Sequence, residues 1–317
     1  MLMRVATNAY TDSMLNQFNY LASQQSTLQN QASTGLSVQA PADNPVAMQN
    51  TLNYLADNST QQQYSANIAT LQTRATSIDG VLQSLQTVSS RAGEIATSAI
   101  SPTTSPADLT NYADEVNQLI NQVVSAANTK DPSTGQYLFG GTASSQPPFA
   151  TTTDGNGNVT AVTYNGNSSV NQVQIGANLT SSVDIPGVNA GSSGAHGLIT
   201  DNQTGADFIN HLIALRNDLQ SGSTTAISGT DSGNLQKDEN NIAYQVANNG
   251  VQQNQLTAAA TFATNSTQSL NTMISNTSSA NLVNTMMQLN QTQTAYQAAL
   301  ESGSKIMQLS LLNYMPT

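Results

Sequence analysis

The sequence contains no cysteine and no tryptophan. Without thiols there is no disulfide and no thiolate zinc site, so the chain must hold itself together by packing and hydrogen bonds. Charge is also scarce. Only 8% of residues are charged, against roughly a quarter in an ordinary globular protein. Basic residues number 7 against 18 acidic ones, for a formal net charge of −11. Phosphate neutralisation needs Lys and Arg in number, which excludes a nucleic-acid binder of that kind. Docking on an anionic membrane is disfavoured for the same reason. No run approaches the roughly 20 apolar residues of a membrane span. The opening "MLMRVATNAYTDSML" has no basic stretch leading into an apolar one, so it does not read as a secretory signal peptide. A cytoplasmic protein, or one exported without a cleaved signal, is expected.

What the 317 residues do carry is a set of narrow apolar stripes in a background of Ser, Thr, Asn and Gln. Met14, Phe18, Leu21, Gln25, Leu28 and Ala32 recur at alternating steps of four and three. That spacing is the seam of a coiled coil rather than a broad globular face. Gly35 is suited to end this helix, and the prolines of "LSVQAPADNPVAM" forbid its continuation. Asp43 or Asn44 can cap the next helix, with Pro45 in its first turn. Ile68, Leu71, Ala75, Ile78, Leu82, Leu85, Ser89, Ala92 and Ala96 then repeat the pattern, widened by Val81, Val88 and Ile95. The helix is predicted to stop near Ser101-Pro102. Ser105 and Pro106 restart one whose apolar face is Leu109, Tyr112, Val116, Leu119, Ile120 and Val123.

From Asp131 to about Gly205 the pattern changes to short alternating runs punctuated by Gly and Pro, which predicts strands and turns. "VTAVTYNGN" carries an Asn-Gly hairpin signal at Asn165-Gly166, and "VNQVQIGANL" and "SSVDIPGV" read as further strands. Helical spacing returns with Phe208, Leu212, Leu215 and Leu219. It continues in a long helix from about Ser232 to Asn276, with Leu256, Ala260, Ala263, Thr267, Leu270 and Ile274 on one seam. The last stripe is Leu282, Met286, Leu289, Gln293, Tyr296, Leu300, Gly303, Met307, Ser310 and Tyr314.

The predicted fold is mainly α with a β-rich insert. It is an elongated rod with the terminal helices paired as a coiled coil, a helical-bundle body and a small β domain at the tip. The expected domains are 1–42 with 278–317, 43–140 with 206–277, and 141–205. The final seam is thin for so long a helix, since Gln293, Ser310 and Gly303 contribute little apolar area. Both ends are therefore expected to fold fully only against neighbouring copies. The assembly residues predicted on this basis are Met14, Phe18, Leu21, Leu28, Leu282, Met286, Leu289, Tyr296, Leu300, Met307, Leu311 and Tyr314. Gln25 and Gln293 occupy seam positions where a polar residue fixes register at a cost in stability.

Candidate chemistry is sparse. His196 and His211 are the only histidines, and no ligand or nucleophile spacing accompanies either. "DGNGN" (154–158) opens like a calcium loop, but Val159 and Asn165 stand where Gly and Glu are needed, so a hairpin turn is expected. "FGGT" lacks the lysine of a phosphate loop. Asp114-Glu115 reads as a solvated helix face. Tyr137, Leu138 and Phe139 read as core or as an interdomain anchor. No enzyme activity, cofactor or metal is expected.

Several segments resemble the flagellin family in one consistent order. "STGLSVQAPADNPVAM" (33–48) is similar to its N-terminal segment. "NTKDPSTGQYLFGGTASSQPPF" (128–149) resembles a segment of the hook–filament junction members. It is followed by "YNGN" (164–167), "VDIPG" (183–187) and "DFINHLIALRNDL" (207–219). "QTAYQAALESGSKIMQLSLLNYM" (293–315) is similar to the family's C-terminal helix. The resemblance implies an extracellular structural protein of the bacterial flagellum, exported unfolded through the flagellar type III channel. Its implied partners are copies of itself, another hook-associated protein, flagellin, and an export chaperone on the C-terminal helix. A minor flagellin is the alternative within the family; a secreted adhesin or phage fibre lies outside it, and such proteins carry repeats that this sequence lacks.

Overall fold

A computed structural model describes the backbone of residues 2–312 and the side chains of residues 12–305. The elements run α1 (Leu2–Thr34), α2 (Pro45–Ala99), α3 (Pro106–Ala127), β1 (Phe149–Thr153), β2 (Val159–Tyr164), β3 (Val173–Gly176), β4 (Leu179–Ser181), β5 (Val188–Asn189), β6 (Thr200–Asp201) and β7 (Ala206–Asp207). They continue with α4 (Phe208–Ser221), α5 (Thr224–Ala226), a π-helical turn (Ile227–Asp231), α6 (Ser232–Ser278) and α7 (Leu282–Leu312). The fold is mainly α with a small β region, as the periodicity predicts.

The helix boundaries follow local chemistry. At Gly35 the backbone turns left-handed (φ 72°) and α1 stops, the Gly35 amide closing on Gln31 O at 2.9 Å. Asn44 Oδ1 accepts the Ala47 amide at 3.0 Å and caps α2. Ser105 and Asp108 form a reciprocal capping box on α3, with Pro106 in the first turn.

The chain forms two compact units, residues 1–60 with 266–317 and residues 61–265. In the larger unit every residue of the predicted α2 stripe from Ile68 to Ala96 is buried, as are Leu109, Val116, Leu119, Ile120 and Val123 of α3 and Leu212, Leu215 and Leu219 of α4. Three small sheets sit on this helical core: hairpins β1–β2 and β3–β4, and a mixed β5-β6-β7 sheet with β5 parallel to β6. Their inward residues Phe149, Val159 and Ile175, with Ile199 just before β6, belong to the same hydrophobic cluster as the helices.

Two local expectations are corrected. Asn165-Gly166 turns no hairpin: β2 pairs with β1 before it, through the turn at Asp154–Asn158. Asp154 holds that turn by accepting the Asn156 and Asn158 amides at 2.8 Å each. Most of "SSVDIPGV" is not strand either. Val183 and Ile185 enter the core, while Asp184 is engaged by Arg74.

The first half of α6 presents a buried face that apolar periodicity does not reveal. Asp238, Asn241, Gln245 and Asn249 all face inward. Asn241 Nδ2 donates to Gly197 O (2.9 Å) and Leu198 O (3.1 Å), and Gln245 Nε2 donates to His196 O (3.0 Å). These side chains satisfy carbonyls of a loop that has no ladder of its own.

Candidate assembly interface

In the smaller unit α1 packs antiparallel on α7. Phe18 meets Tyr296 edge-on, with ring centroids 6.0 Å apart at 80°. Gly303 lies under Met14 and Phe18, so close that a Cβ there would stand 3.2 Å from Met14 Cε and 3.4 Å from Phe18 Cζ. At the other end the Ser37 amide donates to Ser278 O at 2.7 Å and the Ala280 amide to Gly35 O at 2.8 Å.

The predicted α1 seam faces inward: Leu28 is buried, and Met14, Phe18, Leu21 and Gln25 are half-buried. On α7 the inward line is Thr285, Leu289, Thr292, Tyr296, Ala299 and Gly303. Leu289 and Tyr296 were predicted there. Leu282, Met286 and Leu300 do not join this seam; they are 49%, 52% and 48% exposed. Val283 and Met287 are exposed beside them, so the first two turns of α7 carry a contiguous apolar patch. Single exposed apolar residues are ordinary, but a contiguous group marks an interaction surface. The Met307 and Leu311 side chains, and Tyr314 altogether, lie outside the described residues.

Tyr137, Leu138 and Phe139 lie in the larger unit. Leu138 and Phe139 are fully buried, and the Lys130 ammonium sits 4.9 Å from the Tyr137 ring centroid. Leu138 donates its amide to Thr129 O, and Phe139 O accepts the Gly187 amide at 2.8 Å and the Tyr164 hydroxyl at 2.9 Å. Gly141 has φ 66° and touches Asn167, where any Cβ would clash with the backbone.

The ion pair that organises this region was not foreseen. Arg74 donates from Nε to Asp184 (2.6 Å), from Nη1 to Asp131 (3.1 Å) and from Nη2 to Leu138 O (3.2 Å). Burial raises the Asp131 carboxyl, but the Ser133 hydroxyl and amide together with Arg74 outweigh it and hold it below the usual carboxylate value. The residues involved are 57 and 110 positions apart, so no local signal pairs them.

Each histidine also has a carboxylate partner, which the spacing in the sequence does not mark. His196 Nδ1 lies 2.7 Å from Asp201 and His211 Nδ1 lies 2.8 Å from Asp238. Among the described residues no group of three or more His, Asp or Glu side chains is placed to hold a metal, and no helix is long and apolar enough to cross a membrane.

Residues 5–144 match the family model of the bacterial flagellin N-terminal helical region. No curated protein matches the chain in sequence. Solved structures do share its fold. A flagellar hook-associated protein from Vibrio parahaemolyticus superposes with a TM-score of 0.63 at 20% identity, over 75% of this chain and 100% of that one. Flagellar hook-associated protein-3 from Legionella pneumophila gives 0.57 at 16% identity, over 70% and 97%. Bacillus cereus FlgL gives 0.55 at 20% identity, over 69% and 97%. The chain thus carries a region of the flagellin N-terminal type over residues 5–144. Its fold is the one seen in the hook-associated proteins.

Proposed function

We propose that the protein is a junction component of the bacterial flagellum, joining the hook, through another hook-associated protein, to the flagellin filament. It acts outside the cell as a ring of copies, delivered unfolded through the flagellar type III pathway, with a chaperone holding the C-terminal helix before export. The fold shared with hook-associated proteins, on a chain whose residues 5–144 are of flagellin type, carries this reading. The predicted assembly residues of α1 and α7 make the axial contacts, with the exposed group around Leu282 and Met286 turned to a neighbouring copy. The division into 1–42 with 278–317, 43–140 with 206–277, and 141–205 matches inner, middle and outer parts of such a ring. Tyr137, Leu138 and Phe139 anchor the outer part to the middle. A cysteine-free, weakly charged chain suits threading, because no covalent link has to be broken first.

The test is to produce the chain with Met286→Asp and Met287→Asp in a strain lacking its own copy. The substituted protein is expected to be secreted but to leave hooks without filaments, with flagellin lost to the medium. Normal filaments on those cells would overturn the reading. The flagellin match favours a minor flagellin as the second reading. Long filaments from the purified chain alone would establish that role instead.

A further inference from the structure

The chain holds its sulfur in nine methionines and has no cysteine. An oxidant that elsewhere meets a thiolate finds only thioethers here. The methionines whose side chains are described differ in access. Met14 is half-buried against Gly303, and Met48 is half-buried in the first turn of α2. Met273 of α6 is 44% exposed, while Met286 and Met287 of α7 are 52% and 51% exposed.

Met286 and Met287 differ from Met273 in what stands beside them. They belong with Leu282 and Val283 to the exposed apolar group at the start of α7, off the Thr285–Leu289–Thr292 line that packs on α1. Met286 follows Leu282 by four residues and Met287 follows Val283 by four, so each thioether neighbours an aliphatic side chain one turn earlier. No charged residue occurs between Glu239 and Glu301. The attraction this group can offer is therefore apolar, and its two sulfurs supply part of it. Leucine would give a similar apolar area without a reactive atom; two methionines make the same area oxidisable.

We propose that Met286 and Met287 form an oxidation site through which peroxide blocks the association of copies. The inference rests on the reading of the group around Leu282 and Met286 as a contact with a neighbouring copy. Each thioether sulfur gives two electrons to the O–O bond of hydrogen peroxide. That bond breaks, one oxygen stays on sulfur as the sulfoxide, and the other leaves as water. An apolar side chain becomes a polar one, with an acceptor oxygen that an apolar partner surface cannot satisfy. The lone chain presents both residues to solvent, and association covers them. The site is thus open between delivery and assembly and closed afterwards. A thiol-dependent methionine sulfoxide reductase reverses the step, two thiols becoming a disulfide as the oxygen leaves as water.

The test uses the purified full chain in high salt, before and after treatment with hydrogen peroxide. Peptide mass spectrometry over a time course is expected to find the added oxygen on Met286 and Met287 before Met14 and Met48. Sedimentation velocity is expected to show association weakened about tenfold for each sulfoxide buried, and restored by the reductase with a dithiol. The double variant Met286→Leu, Met287→Leu keeps every other methionine, so its association, whatever its starting strength, should not move with peroxide. Oxidation of Met14 or Met48 as fast as the pair, or an equal peroxide effect in the double variant, would overturn the site. The chain with Met286→Asp and Met287→Asp separates this inference from the reading beneath it. If that chain associates as the wild type does, or the wild type does not associate before treatment, the contact reading fails and the inference with it. If that chain loses association while the oxidised wild type keeps its own, the reading stands and the oxidation site is overturned.

Discussion

Arg74 brings three separated pieces of chain to one point: its own helix, the Asp131 turn and the Asp184 segment. The two carboxylates are 1% and 6% exposed, so their charges depend on this guanidinium. Removing one partner of a buried ion pair leaves an uncompensated charge, which costs about 3–5 kcal/mol. Arg74→Met is expected to lower the unfolding free energy by that amount in urea titrations. The loss should shrink in acid. A carboxyl held low by its partners contributes stability above its unfolded value and loses it as pH falls through the folded one, so Asp131 stops contributing once protonated. An unchanged midpoint at neutral pH would show that Arg74 organises nothing. Such a cluster is illegible in a sequence because its members share no period. The same holds for His211 and Asp238, 27 residues apart. Burial of Phe139 was legible because an aromatic residue beside paired glycines in a polar chain has few roles other than packing.

Helices were the most legible elements, because α2, α3 and α4 each bury an apolar stripe in one shared core. Helix α7 was harder. Its oiliest line reads as the inward one, but the helix carries apolar residues on more than one face. The line through Thr285, Leu289, Thr292, Tyr296, Ala299 and Gly303 packs on α1 because small side chains allow close approach there. The larger Leu282, Met286 and Leu300 are left outward. Gln293 stays half-buried at the edge of this seam. A polar residue at such a position fixes register at a cost in stability. Gln293→Leu is expected to raise the melting temperature of the isolated chain while disturbing junction assembly, read as lost swimming in soft agar. Normal motility in a stabilised variant would remove the register role. The polar inward face of α6 was missed for the opposite reason. Asn241 and Gln245 are buried to capture carbonyls of the 196–198 loop, and hydropathy treats them as solvent-facing.

Across the whole molecule the charges are unevenly divided. The unit formed by residues 1–60 and 266–317 contains the acids Asp12, Asp43, Asp57 and Glu301 and the bases Arg4 and Lys305, so most of the −11 belongs to residues 61–265. The proposed contact surface is thus almost uncharged, while the rest of the molecule repels its copies. The α1–α7 seam is also thin, since Thr285, Thr292 and Gly303 bury little apolar area where a Leu would contribute about 1.5–3 kcal/mol. In the lone chain residues 12–34 and 282–305 should therefore exchange their amides quickly, and slow down on association. Salt separates this account from one based on ion pairs. At about 0.1 M the screening length is about 10 Å, and at about 1 M about 3 Å, so added salt removes repulsion between copies without weakening apolar contact. Sedimentation velocity of the full chain should show association strengthening as salt rises, with protection of α1 and α7 rising alongside. Association that weakens with salt would assign the contacts to charges in residues 61–265, and strong protection in dilute low-salt monomer would show that the terminal helices need no neighbour.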